Sequence, residues 1–189
     1  MAAVRATTYV AFLRAINLGA KRTFPKVDIV AAVKGAGGSR VETYLNTGNV
    51  RLDFASRSAG KVEAALEAAF LADRGFEVPT IALTPSELVA IDDDAERFGV
   101  GHAGRHYVSL LKKAPTPEAV DAFAAAVEGL SGTGQVARVG GRAVHLMIGG
   151  DYHSSQLTNA VVERQLGVAT NRNLSVIREL ARRWGRDPL

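Results

Sequence analysis

Two short segments carry the side chains best suited to hold an anion. Arg14, Asn17 and Lys21 close the first apolar run of the chain, and Thr47 and Asn49 lie in the turn Asn46-Thr47-Gly48-Asn49 between the next two runs. A guanidinium and an ammonium supply charge, while two carboxamides and a hydroxyl supply hydrogen bonds, a set that fits phosphate or carboxylate oxygens. Each residue also has a structural reading. Arg14 shares strand parity with Val10, Phe12 and Ile16, so an internal ion pair or a bridge between domains satisfies it as well as a ligand does. Asn17 and Gly19 suit a turn because both tolerate left-handed backbone, and hairpin chemistry explains Thr47-Gly48-Asn49 without a ligand.

Other chemistry finds less support. With no cysteine in 189 residues, disulfides, thiolate catalysis and cysteine-based metal sites are excluded. Gly99-Val100-Gly101-His102-Ala103-Gly104 matches the dinucleotide spacing, but it follows an expected helix and precedes an expected strand, the reverse of what that motif requires. His102 and His106 are four apart in loop and strand, His145 alternates with Ala143 and Met147, and His153 begins a loop; none makes a helical metal pair, and no metal is expected. Asp92-Asp93-Asp94 lacks the spaced ligands of a calcium loop and reads as solvated surface. In His153-Ser154-Ser155 the serines read as helix caps rather than nucleophiles. Asp151 and Glu163 form no recognisable acid–base pair, and no cofactor is expected.

These residues are positioned by an ordinary globular chain. It is 47% hydrophobic and 22% charged, with net charge +4. It has neither a signal-peptide core nor a stretch of membrane-spanning length, so a cytoplasmic protein is expected. Apolar runs at Tyr9–Ile16, Val41–Leu45, Val50–Phe54 and Phe76–Leu83 read as strands. A helix opens at Pro25, and Val62, Leu66 and Phe70 mark another that ends at Gly75. A capping box at Thr84-Pro85-Ser86-Glu87 starts a bridging helix. Beyond it, strands are expected at His106–Leu111, Val136–Val139 and Ala143–Ile148, with helices from Thr116-Pro117, around Leu157–Val161 and after Asn173. The order predicts an α+β fold of two ferredoxin-like (split βαβ) subdomains in tandem, residues 1–83 and 84–189. The second ends in helices, with a helix where a fourth strand might have come. The sequence displays no residue-level repeat.

In such a subdomain the third strand lies between the first and second. The end of strand one and the turn between strands two and three then share an edge, where the first helix also begins. Arg14, Asn17, Lys21, Thr47 and Asn49 are expected to meet there beside a helix N-terminus. By the same logic Lys112 and Lys113 approach Arg138 and Arg142 in the second half.

At these motifs the chain resembles a family of bacterial proteins, the domain of unknown function 1697 family. Tyr9-Val10-Ala11-Phe12-Leu13-Arg14-Ala15-Ile16-Asn17-Leu18-Gly19-Ala20-Lys21 is similar to its Tyr-Val-Ala-Leu-Leu-Arg-Gly-Ile-Asn-Val-Gly-Gly-Lys. Asn46-Thr47-Gly48-Asn49-Val50 is similar to its Gln-Ser-Gly-Asn-Val. Leu157-Thr158-Asn159 and Arg172-Asn173 are similar to its Lys-Leu-Thr-Asn and Thr-Arg-Asn-Trp segments. The chain departs at Ala15 for glycine, Gln156 for lysine and Leu174 for tryptophan, which puts in doubt any anion or stacking role of the C-terminal motif. The resemblance implies the two-part α+β fold and no activity.

The expected function is binding of an anionic small molecule or nucleotide at the basic edge of the first subdomain. Alternatives are non-specific nucleic-acid binding and a small-molecule enzyme with an unrecognised acid–base site; whether the chain is an enzyme stays open. An oligomerising role through a sheet face left bare by the absent last strand is a further alternative, and the oligomeric state is undetermined. Base stacking of the kind used by RNA-recognition sheets is not expected, since Asn49 and Arg51 stand where aromatics would be needed.

Overall fold

A computed structural model describes residues 6–129, 134–150 and 155–186. The chain forms two compact units, Met1–Pro85 and Ser86–Leu189, each with a four-stranded antiparallel sheet interleaved with helices. No described helix is long and apolar enough to cross a membrane.

The first unit runs β1 (Thr7–Leu13), α1 (Lys26–Gly35), β2 (Ser39–Tyr44), β3 (Asn49–Phe54), α2 (Ala59–Arg74) and β4 (Thr80–Leu83). Alternation sends Tyr9, Ala11 and Leu13 of β1 and Val50 and Leu52 of β3 to one face. There they pack with Ile29 and Val33 of α1 and with Val62, Leu66 and Phe70 of α2. Ser58 caps α2 through Lys61 N, and Gly75, in left-handed backbone, ends it. The sheet order is β2-β3-β1-β4, so β3 lies between β2 and β1 as expected. The strand expected from Phe76 is shorter, because only Thr80–Leu83 pair with β1.

The second unit opens with α3 (Pro85–Phe98) and continues through β5 (Arg105–Leu111), α4 (Pro117–Glu128), β6 (Gln135–Gly140), β7 (Ala143–Ile148) and α5 (Asn159–Leu166). It ends with β8 (Ala169–Asn173), α6 (Leu174–Leu180) and a π-helical turn at Ala181–Arg186. The sheet order β6-β7-β5-β8 repeats that of the first unit. β8 corrects the expectation that a helix replaces the fourth strand. Its Ala-Thr-Asn-Arg-Asn sequence has no apolar alternation to announce a strand. It is held by pairing, Leu110 opposite Thr170 and Val108 opposite Arg172, so the expectation of a missing last strand fails with it.

The pairing registers also reveal a repeat that the sequence does not advertise. Leu13 N donates to Gly48 O at 2.8 Å and Leu111 N to Arg142 O at 2.8 Å; Arg14 N donates to Pro79 O and Lys112 N to Val168 O, both at 2.9 Å. Tyr9 faces Leu52 as Tyr107 faces Leu146. Tyr9-Val10-Ala11-Phe12-Leu13-Arg14 therefore corresponds to Tyr107-Val108-Ser109-Leu110-Leu111-Lys112.

The fourth strand of each sheet is protected in the same way in both units. β4 and β8 are sheet edges, whose outward N–H groups invite pairing with other chains. Glu63 and Glu67 of α2 accept from Ala82 N at 2.9 Å and Thr80 N at 2.7 Å. Glu163 of α5 accepts from Ala169 N at 3.2 Å. Glu63→Ala is expected to lower stability by about 1–3 kcal/mol by stranding a buried N–H, with Glu63→Gln milder because an acceptor remains. Urea unfolding measures both; equal losses in the two variants would contradict this role.

Candidate functional site

The two loops of the first unit do meet. Phe12 pairs with Asn49, and the Leu13–Gly48 hydrogen bond closes the strand ends together. Gly48 makes this approach feasible: at φ 74°, a Cβ there would lie 2.6 Å from Leu13 Cβ and 2.9 Å from Ile16 Cδ1. Asn17, itself left-handed at φ 54°, joins three backbone groups. Its Nδ2 donates to Asn46 O at 2.7 Å and Phe24 O at 3.2 Å, and its Oδ1 accepts from Phe24 N at 2.8 Å. Asn49 is fully buried, and its Nδ2 donates to Tyr44 O and to Thr47 Oγ1, both at 3.0 Å. The two carboxamides thus build the edge from within, while exposed Thr47 and Lys21 and half-buried Arg14 stand on it.

Arg22, absent from the expected site residues, is the third fastening. Its Nε donates to Ala15 O at 2.5 Å and its Nη2 to Glu77 O at 2.6 Å, and its guanidinium lies 4.6 Å from the Phe76 ring centroid. Ala15, where the resembled family carries glycine, takes φ 57°, which explains why glycine suits that position. The first turn of α1 holds Asp28, paired with Arg74 at 3.1 Å, so a protein carboxylate already uses part of that helix terminus.

The equivalent edge of the second unit is filled by the protein itself. Arg142, in the position of Gly48, donates to Leu111 O at 3.2 Å, Lys112 O at 2.8 Å and Glu87 Oε1 at 3.4 Å. Arg138 donates to Ala137 O at 3.0 Å. On the first sheet, Asn49 and Arg51 are both buried. Arg51 donates to Arg40 O at 3.1 Å and its Nη2 lies 3.7 Å from Asp53, so the two side chains form no exposed platform. Burial disfavours the Asp53 carboxylate, but hydrogen bonds from Thr8 and Arg40 and the charges of Arg40 and Arg51 outweigh it, and its pKa falls.

The second unit contains a cleft that sequence reasoning missed. Its larger lobe, about 520 Å³, is lined by Arg105, His106, Ser175, Arg178 and Arg182 among others. A smaller lobe of about 270 Å³ shares His106, Leu174 and Arg178 and adds His102, Gly99 and Gly104. His106 Nε2 and His145 Nδ1 are 3.0 Å apart, with the Phe98 ring edge against His145. Alternation within β5 and β7 was a usable signal; the pairing of Val108 with His145 that brings the imidazoles together was not visible. Among the described residues no cluster of three His, Asp or Glu side chains is placed to hold a metal ion.

Two smaller expectations need correction. Asp92 is buried rather than solvated, because the inward stripe of α3 includes it with Leu88, Ile91 and Ala95, and Arg186 binds it at 3.0 Å. Ser155 donates to Gln135 Oε1 at 2.6 Å, and the N-cap of α5 is Thr158; Asp151, His153 and Ser154 lie outside the described residues.

The comparisons with known proteins agree with this architecture. A model described as protein of unknown function (DUF1697) matches residues 6–145. The chain belongs to that family. The matched span includes both loops of the first unit, whereas Leu157–Asn159 and Arg172–Asn173 lie beyond it. The conserved bacterial protein SP0830 from Streptococcus pneumoniae is similar in structure, with a TM-score of 0.73 and 19% identity, over 94% of this chain and 98% of that one. At that identity the likeness concerns the fold. No curated protein matches the sequence.

Burial first, then neighbouring charge, holds both His106 and His145 below the ordinary 6.5. The unfolded chain therefore takes up protons more readily, so stability is complete above the unfolded value and is lost as pH falls below it. Urea unfolding at about pH 7.5 and about pH 5 is expected to show this loss, with a smaller loss in His145→Gln. Identical losses in variant and wild type would exclude the pair as its source.

Proposed function

We propose that the first unit binds an anionic small molecule or nucleotide at the joined loop edge. Arg14 and Lys21 supply charge, Thr47 supplies a hydroxyl, and Asn17 and Asn49 hold the rim in shape. The observation that carries this reading is the Asn17 carboxamide, which fixes the cation-bearing loop to the neighbouring turn and so lowers the ordering cost of binding. The contrast with the second unit adds support, since Arg142 occupies the corresponding edge there. The strand orders β2-β3-β1-β4 and β6-β7-β5-β8 support reading each unit as a ferredoxin-like module, with the chain passing from one to the other at residues 83–84. The proposed location is the cytoplasm.

Isothermal titration against nucleotides and phosphorylated metabolites tests the reading. At least one ligand is expected to bind, and Arg14→Ala to weaken it about ten- to a hundredfold with the fold intact. Absence of binding across the panel would refute it. Retention on single-stranded DNA or RNA that falls steeply with salt, without small-molecule binding, would favour the nucleic-acid alternative instead.

A further inference from the structure

We propose that the cleft of the second unit is a separate binding site for a small organic anion, whose phosphate or carboxylate group is held where the two lobes join. The larger lobe has the volume of a small-molecule site. The one carboxylate among its described lining residues, Glu179, is already held by Arg182 at 2.9 and 3.0 Å and by Arg183 at 2.5 Å. Arg178 lines the same lobe and makes no hydrogen bond to a carboxylate among the described residues. Arg178 lies at the junction, where its ion pair with Asp92 Oδ1 is 3.9 Å long, beyond hydrogen-bonding distance, and the other Asp92 oxygen is engaged by Arg186. In the smaller lobe Glu96 is the lining carboxylate. Leu174 is common to both lobes and offers an apolar surface for the body of the ligand.

The histidine pair adds a directed donor. One proton lies between His106 Nε2 and His145 Nδ1. Were it on His106, the neutral His145 ring would carry its own proton on Nε2, which is buried without a hydrogen-bond partner. An orphaned buried N–H is rarer than an unsatisfied lone pair. The proton therefore belongs to His145 Nδ1, and neutral His106 carries its hydrogen on Nδ1. That nitrogen looks toward Gly99, where a Cβ would stand 3.5 Å from it, and Gly99 lines the smaller lobe. A second imidazole nitrogen on this lobe, His102 Nε2, is also without a hydrogen-bond partner among the described residues. The glycine at 104 leaves it room, since a Cβ there would stand 2.7 Å away. An N–H donor and a guanidinium converging on one junction match an oxyanion.

Long-range proton–nitrogen NMR of the full chain tests this directly, with phenyl phosphate and benzoate as separate probes. The free protein is expected to show His106 as the Nδ1–H tautomer. At least one probe is expected to shift the His106 ring and the Ser175 and Arg178 amides saturably. A response to phenyl phosphate alone assigns the site to phosphate, and one to benzoate alone to carboxylate. Arg178→Ala is expected to weaken binding at least about tenfold, and Arg178→Lys less, since it keeps the charge but loses the fork. The proposal is overturned by an Nε2–H tautomer at His106, by unchanged affinity in folded Arg178→Ala, or by no saturable shift in the cleft up to about 10 mM of either probe. Shifts confined to residues 14–21 and 46–49 would also overturn it while leaving the first-unit reading intact.

Discussion

A single carboxamide organises the loop edge of the first unit. Asn17 uses both ends of its side chain, donating to Asn46 O and Phe24 O and accepting from Phe24 N. The loop after β1 is otherwise awkward to hold, because Ala15, Asn17 and Gly19 all take positive φ and such backbone persists only where surrounding contacts determine it. Arg22 adds a second clamp through Ala15 O and Glu77 O. Phe24, fully buried against Phe70 with ring centroids 5.2 Å apart, anchors the far end of the loop. Exposed Lys21 stands on a segment whose neighbours on both sides are fixed.

The two units share one architecture and differ at the corresponding edge. Matching hydrogen bonds at Leu13 and Leu111, and at Arg14 and Lys112, show that their edges are built alike. They diverge where Gly48 corresponds to Arg142. Glycine permits close approach and adds no side chain, whereas arginine spans the edge and satisfies its own carbonyls. The second unit instead has its cleft on the face of β5 that bears His106, bordered by α6. That cleft exists because β8 completes the sheet and leads directly into α6 through Asn173, whose Oδ1 caps Ser175 N at 2.9 Å.

Much of this was legible in the chain, for local reasons. The helix start at Thr116-Pro117 is a cap through Ala119 N, and the helix end at Gly75 is a left-handed glycine. The meeting of Arg14 and Asn49 at one sheet end followed from strand order alone. What stayed hidden depends on partners distant in sequence. β8 is a strand because β5 and Glu163 receive its backbone. Asp92 tolerates its place on the inward stripe of α3 because Arg186, far along the chain, binds it. The histidine pair arises from register between β5 and β7. Asn17 and Asn49 were recognised as polar residues of the edge, but only the structure distinguishes groups that build a rim from groups that stand on it.

Native-state hydrogen exchange at the Leu13 and Phe24 amides tests the central claim most directly. If Asn17 fastens the two loops, both amides exchange as slowly as those of β1 and β3, and Asn17→Ala releases Phe24 first while the core strands stay protected. Exchange of Phe24 in the wild-type protein at the rate of an unprotected loop, or no change in Asn17→Ala, would contradict it.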